Sequence, residues 1–162
     1  MARVMTVAGV TVDPVTKSPI VVLRDPETGN VVPIWIGILE ANAITFALEG
    51  TELPRPMTHD LMKSILDSTE MRLLSVEIAD IRDHTYFALL NLEGSGGNLR
   101  IDARPSDAIA LALRCGATIL VSETVLEQSS IPAPGETEGG EKDKWTELLE
   151  KMDPEQFSKY KM

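Results

Sequence analysis

Cysteine is nearly missing from this chain: of 162 residues, Cys115 is the single example. No intrachain disulfide can form, and no cluster of thiolates can hold zinc. Aromatic residues make up only 4%, too few to lay out a stacking platform for single-stranded nucleic acid. No apolar run approaches the roughly 20 residues that span a bilayer. The first ten residues interrupt their apolar pieces with Thr6 and Gly9, unlike a secretory leader, so the cytoplasm is the expected compartment. Basic residues are outnumbered, 15 Lys and Arg against 25 Asp and Glu, for a net charge of −10. That balance excludes a broad basic coat for nucleic acid but leaves room for a local arginine pocket. There is no Gly-rich phosphate loop ending in Lys-Ser or Lys-Thr, no dinucleotide fingerprint and no Gly-x-Ser-x-Gly elbow.

What is present fits one compact domain with an appended segment. An apolar fraction of 43% and a charged fraction of 25% are those of an ordinary globular chain. Residues 4–12, 20–23 and 31–37 read as strands. Asp25-Pro26-Glu27-Thr28-Gly29-Asn30 supplies the turn of a 20–37 hairpin, and Pro33 marks an edge or a bulge. Apolar residues at 41, 43, 44, 47 and 48 have helical spacing from Glu40 to Leu48, with Gly50 as the stop. Thr58 is the expected N-cap of a second helix to about Ser68, its buried stripe being Leu61, Met62, Ile65 and Leu66. Strands follow at 71–81, 86–92 and 99–102, with a loop over 93–98. Pro105 opens a third helix through Arg114, stopped near Gly116. A strand at 118–121 and a brief helix at 123–128 close the domain.

The predicted fold class is therefore α+β, a mixed or antiparallel sheet with three main helices. The domain covers 1–128. Residues 129–143 read as a flexible linker by composition, and 144–162 as a short helical tail carrying Trp145, Leu148, Leu149 and Met152. An internal echo appears at an offset of 65: Ile36, Ala43, Ile44, Ala47 and Leu48 recur as Ile101, Ala108, Ile109, Ala112 and Leu113. It suggests a duplicated strand-then-helix unit.

Three places concentrate polar groups at element ends. Glu40, where a strand passes through Gly37 into a helix, suits a metal ligand or general base, or simply an acid at a helix N-terminus. The stretch Arg55-Pro56-Met57-Thr58-His59-Asp60-Leu61-Met62-Lys63 places a histidine and two cations beside a helix start, where free amides attract anions. His59 can carry a proton near neutral pH. In Asp102-Ala103-Arg104-Pro105-Ser106-Asp107, two carboxylates and an arginine follow a strand, a credible phosphate and metal site or a well-capped helix. Cys115, at an apolar helix end, reads as buried and inert.

Three strings carry a family resemblance: Ile34-Trp35-Ile36-Gly37-Ile38-Leu39-Glu40-Ala41, Arg55-Pro56-Met57-Thr58-His59-Asp60-Leu61, and Asp102-Ala103-Arg104-Pro105-Ser106-Asp107-Ala108-Ile109-Ala110-Leu111. In order and spacing they resemble the bifunctional nuclease family, and the likeness continues into the ending from Leu148 to Met162. The resemblance implies an α+β domain, hydrolysis of DNA and RNA phosphodiesters, and self-association into a homo-oligomer. It makes Glu40, His59, Asp60, Asp102 and Asp107 the candidate catalytic residues, and Arg55, Arg104 and Ser106 the candidate substrate contacts; Lys63, four residues after His59 on the same helical face, joins these contacts by its spacing. A divalent ion, Mg or Mn, would sit on Glu40, Asp102 and Asp107. The acidic total charge supports a different expectation, a non-catalytic oligomer that binds a small anionic ligand or a protein partner.

Overall fold

In the computed structural model, residues 1–133 are described, and they form one seven-stranded mixed sheet with four helices. The strands are β1 (Ala2–Val12), β2 (Pro19–Arg24), β3 (Val31–Trp35), β4 (Arg72–Arg82), β5 (Thr85–Gly94), β6 (Gly97–Ala103) and β7 (Thr118–Ser122). The helices are α1 (Ile38–Glu49), α2 (Thr58–Ser68), α3 (Pro105–Cys115) and α4 (Glu123–Ser129). Across the sheet the order is β3-β2-β1-β7-β4-β5-β6. Every neighbour is antiparallel except β4 and β7.

That order exposes the duplication. β1-β2-β3-α1 and β4-β5-β6-α3 are each a three-stranded meander followed by a helix, and they run outward from the centre in opposite directions. β7 fills the gap between them, antiparallel to β1 and parallel to β4. Both helices stop on a left-handed glycine, Gly50 and Gly116, each at φ 64°, where a side chain would be strained. α1 and α3 pack against each other over the sheet.

The core follows from strand alternation. In β5, Tyr86, Ala88, Leu90 and Leu92 are buried while the residues between them are half-exposed. β2 is buried on both faces, Ile20 and Val22 forming a second cluster with Val31 and Trp35. Trp35 spends its indole N–H on buried Asp13, at 2.9 Å.

Several boundaries differ from expectation. The 93–98 loop is a tight hairpin, since Glu93 pairs with Asn98 and Gly94 with Gly97, which leaves Ser95 and Gly96 as the turn. Two glycines flanking the turn let the ladder run to its end. Pro33 does sit on an edge strand. The N-cap of α2 is Met57, with Thr58 already helical. The buried face of α2 is rotated: His59, Met62 and Leu66 face inward, whereas Leu61 and Ile65 are each 53% exposed. Ser129 belongs to α4, and Ile131 pairs with Val31 through two backbone hydrogen bonds of 2.8 and 2.9 Å. The rest of the expected linker from 134, and the helical tail at 144–162, lie outside the described residues. Among the described residues, no helix is long and apolar enough to cross a membrane.

Candidate functional site

Three helix N-termini meet at one cavity of about 380 Å³. α1 contributes Leu39 and Glu40, α2 contributes Met57, Thr58 and His59, and α3 contributes Arg104 and Asp107. Gly37 and Arg104 make no side-chain cap, whereas the start of α2 is closed by a capping box between Met57 and Asp60. Each helix brings the positive end of its dipole to the same region. The duplication explains the convergence. Asn42 of α1 and Asp107 of α3 are equivalent positions at the offset of 65, and both line the cavity.

A chain of charged contacts closes the floor. Arg104 donates from Nε to Asp107 Oδ2 at 2.9 Å and from Nη1 to Glu40 Oε1 at 3.0 Å. Those bonds use two of the five guanidinium N–H donors, and the side chain is 54% exposed. Asp107 Oδ1 lies 3.0 Å from His59 Nε2. Burial opposes ionisation of Asp107, yet the hydrogen bonds from Arg104 and His59 prevail and hold its carboxyl below the usual range. An ionised Asp107 only accepts, so Nε2 of His59 carries the proton between them. The Glu40 side chain folds back over Gly37, where even a methyl group would collide with its carboxylate.

A second set ties the helices together. Arg114 donates from Nε to Asp60 Oδ1 at 2.8 Å, from Nη1 to Ala110 O at 2.8 Å and from Nη2 to Ala43 O at 3.0 Å. Its fork thus joins α1, α2 and α3, and its side chain is 9% exposed. Asp60 also accepts the Met57 amide at 3.0 Å. That bond and the Arg114 bond keep the Asp60 carboxyl below its ordinary range.

Of the residues singled out in the sequence, Glu40, His59, Arg104 and Asp107 line the cavity, and Asp60 stands directly behind it through Arg114. The others are elsewhere. Asp102 is exposed on β6, at the sheet edge, and does not line the cavity. The strand-to-helix junction separates it from Arg104 and Asp107, because strand geometry turns its side chain away before α3 begins. Lys63 points along α2 to Asp67, 2.7 Å away, and also lies outside the lining. Arg55 is exposed in the 51–57 segment, with no ion pair among the described residues and no place in the lining. Ser106 is 1% exposed and outside the lining, its hydroxyl having no hydrogen-bond partner. Sequence reasoning missed Arg114 and the apolar wall of Leu39, Phe46 and Met57. Arg114 was available from spacing, since it follows Asp107 by two helical turns on the same face.

The donor set does not fit a resident divalent ion. Glu40 and Asp107 are both engaged by Arg104, Asp60 by Arg114, and Asp102 is remote. Among the described residues, no group of three or more His, Cys, Asp or Glu side chains is placed to hold a metal.

The fold and site thus define an α+β protein of duplicated strand-and-helix units, with a cavity lined by the first turns of three helices. The bifunctional nuclease domain matches residues 21–134, and the chain belongs to that family. It is 35% identical over 159 residues to an uncharacterized protein of Mycobacterium tuberculosis, Rv1829, covering 93% of this chain and 95% of that one. It is 28% identical over 109 residues to Bifunctional nuclease 2 of Arabidopsis thaliana, 65% of this chain and 33% of that protein. Bifunctional nuclease 1 of the same plant is 27% identical over 134 residues, 75% of this chain and 41% of that protein. The chain therefore spans well under half of the plant proteins that carry the nuclease name.

Proposed function

We propose that the chain hydrolyses phosphodiester bonds of DNA and RNA at the cavity between α1, α2 and α3. The carrying observation is the His59–Asp107 pair, joined by Arg104, in the cavity where the first turns of α1, α2 and α3 meet. Amides at helix starts bind phosphate oxygens, and the unused N–H donors of Arg104 add a cation at the rim. Water attacks phosphorus, the P–O bond to one sugar breaks, and a phosphate monoester and a hydroxyl result. His59 Nδ1 takes the proton of the attacking water while Asp107 holds the ring in the required tautomer, and a solvent water protonates the departing sugar oxygen. Arg104 offsets the charge that builds on the non-bridging oxygens. Glu40 and Asp107 fix the angle of Arg104. Arg55, though outside the cavity, is exposed and forms no ion pair among the described residues, so it is available to a longer strand. A divalent ion, if one takes part, would arrive with the substrate phosphates, as magnesium commonly does.

The test is cleavage of plasmid DNA and of RNA, co-eluting with the protein through two unrelated columns, with and without chelator. His59→Gln in the folded protein is expected to lower turnover by about 10²- to 10⁴-fold. Equal rates for wild type and variant would remove His59 from the chemistry. No activity co-eluting with wild type on either substrate would end the nuclease reading.

One observation favours a second reading, a non-catalytic binder of a small anion. Arg104 and Arg114 both spend bonds on acids within the chain, and the cavity volume is that of a small-molecule pocket. Calorimetric binding of a mononucleotide that is recovered intact would support it.

A further inference from the structure

The two edges of the sheet are unlike. At β3, Pro33 removes a backbone donor and Ile131 pairs with Val31, so that edge is partly closed. At the other end, β6 carries neither proline nor lysine, and all of Gly97–Asp102 are exposed. Its register with β5 sets Leu99 opposite Leu92 and Ile101 opposite Leu90. Directly opposite residues share a face, and Leu90 and Leu92 are buried in the core. Leu99 and Ile101 therefore lie on the helix-bearing face, yet they remain 52% and 44% exposed. An apolar edge that no other described strand covers invites another strand.

Asn98, Arg100 and Asp102 occupy the opposite face of the same strand. Arg100 leans back to Asn91 at 3.2 Å and Glu77 at 3.6 Å, its side chain 62% exposed. Asp102 makes no hydrogen bond or ion pair among the described residues, and the cavity chemistry leaves it unused.

We propose that β6 is the seam of a homodimer, in which the β6 strands of two copies pair antiparallel about Ile101 and join two sheets into one. A two-fold axis through that point sets Arg100 of each copy opposite Asp102 of the other. On the helix-bearing face it sets Ile101 against Ile101, and Leu99 against Ala103. Centring the pairing on Arg100 or on Asp102 instead would place like charges face to face, which is unfavourable. Charge complementarity selects the second copy and the register together. It also gives Asp102 a role independent of the nuclease reading.

The test uses the full chain in sedimentation equilibrium across a concentration series, with circular dichroism to confirm folding of each variant. Wild type is expected to dimerise. Asp102→Arg sets arginines opposite each other at two places and is expected to raise the dimer dissociation constant by about tenfold or more. Arg100→Asp acts likewise, and the exchanged pair R100D/D102R restores association. In a Cys115→Ser background, Ile101→Cys forms a disulfide-linked dimer on mild oxidation. A wild-type chain that stays monomeric overturns the proposal. So does a dimer indifferent to both charge changes and to Ile101→Cys, which would place the contact on another surface, such as the exposed Ile38, Leu39, Leu61 and Ile65 of α1 and α2. If the double exchange fails to restore a folded protein's association, the register is wrong.

Discussion

Asp107 is the residue through which most of the site's electrostatics pass. It receives Arg104 on one oxygen and His59 on the other, and it is half-buried. Its carboxyl titrates below the range of an unfolded chain, so folding is favoured by the ionised form. That contribution is complete above the unfolded value, near pH 4, and is lost as pH falls through the lower folded value. In urea titrations, wild type is expected to be more stable than Asp107→Asn at pH 7, with the gap closing as pH falls below about 4. A gap that stays constant over that span would contradict the assignment. The same pairing explains why Asp107 could be picked out from sequence and Asp102 could not be rejected. The two acids flank one motif, but a strand's alternation and a helix's turn send them to different places. Spacing puts Arg114 on the face of Asp107 but does not name its partners, since Asp60 and the Ala43 carbonyl come from distant parts of the chain.

At the scale of elements, the punctuation of the chain was readable. Pro and Gly at 25–30, Gly50, Pro105 and Gly116 each end or begin an element close to where turn and cap chemistry requires. Local pattern did not fix which face of α2 turns inward. The apolar residues at 61, 62, 65 and 66 make a wide stripe, and only the neighbouring α3 decides how the helix rolls. His59, bonded to Asp107, rolls it so that Met62 and Leu66 meet the core. Leu66→Ala is accordingly expected to cost about 1–3 kcal/mol in denaturant unfolding. Leu61→Gln and Ile65→Gln should each stay within about 0.5 kcal/mol of wild type, as surface changes do. Comparable losses at 61 and 66 would mean that the helix faces the other way.

The whole molecule carries a charge of −10, while its proposed substrates are polyanions. Long-range repulsion slows encounter at low ionic strength, and added salt shortens its reach from about 30 Å at 0.01 M to about 8 Å at 0.15 M. Raising salt over that interval is therefore expected to raise kcat/KM on long DNA, the reverse of a protein with a basic groove. Steady-state cleavage at fixed enzyme concentration reads it directly, and a monotonic fall would show that local cations dominate. The α+β class and the repeated unit were both visible in the sequence. The sheet order was not, since it depends on a strand near the end of the described chain passing between two units already formed.

That late strand has a consequence for how the protein comes off the ribosome. Until residues 118–122 emerge, β1 and β4 each present an open hydrogen-bonding margin, and nothing joins the two meanders across the sheet. Joining of the two meanders is therefore postponed until that strand is made, with the distant pairings that slow folding. A transcript broken before Thr118 would yield two adhesive half-sheets in one polypeptide, a species prone to precipitate.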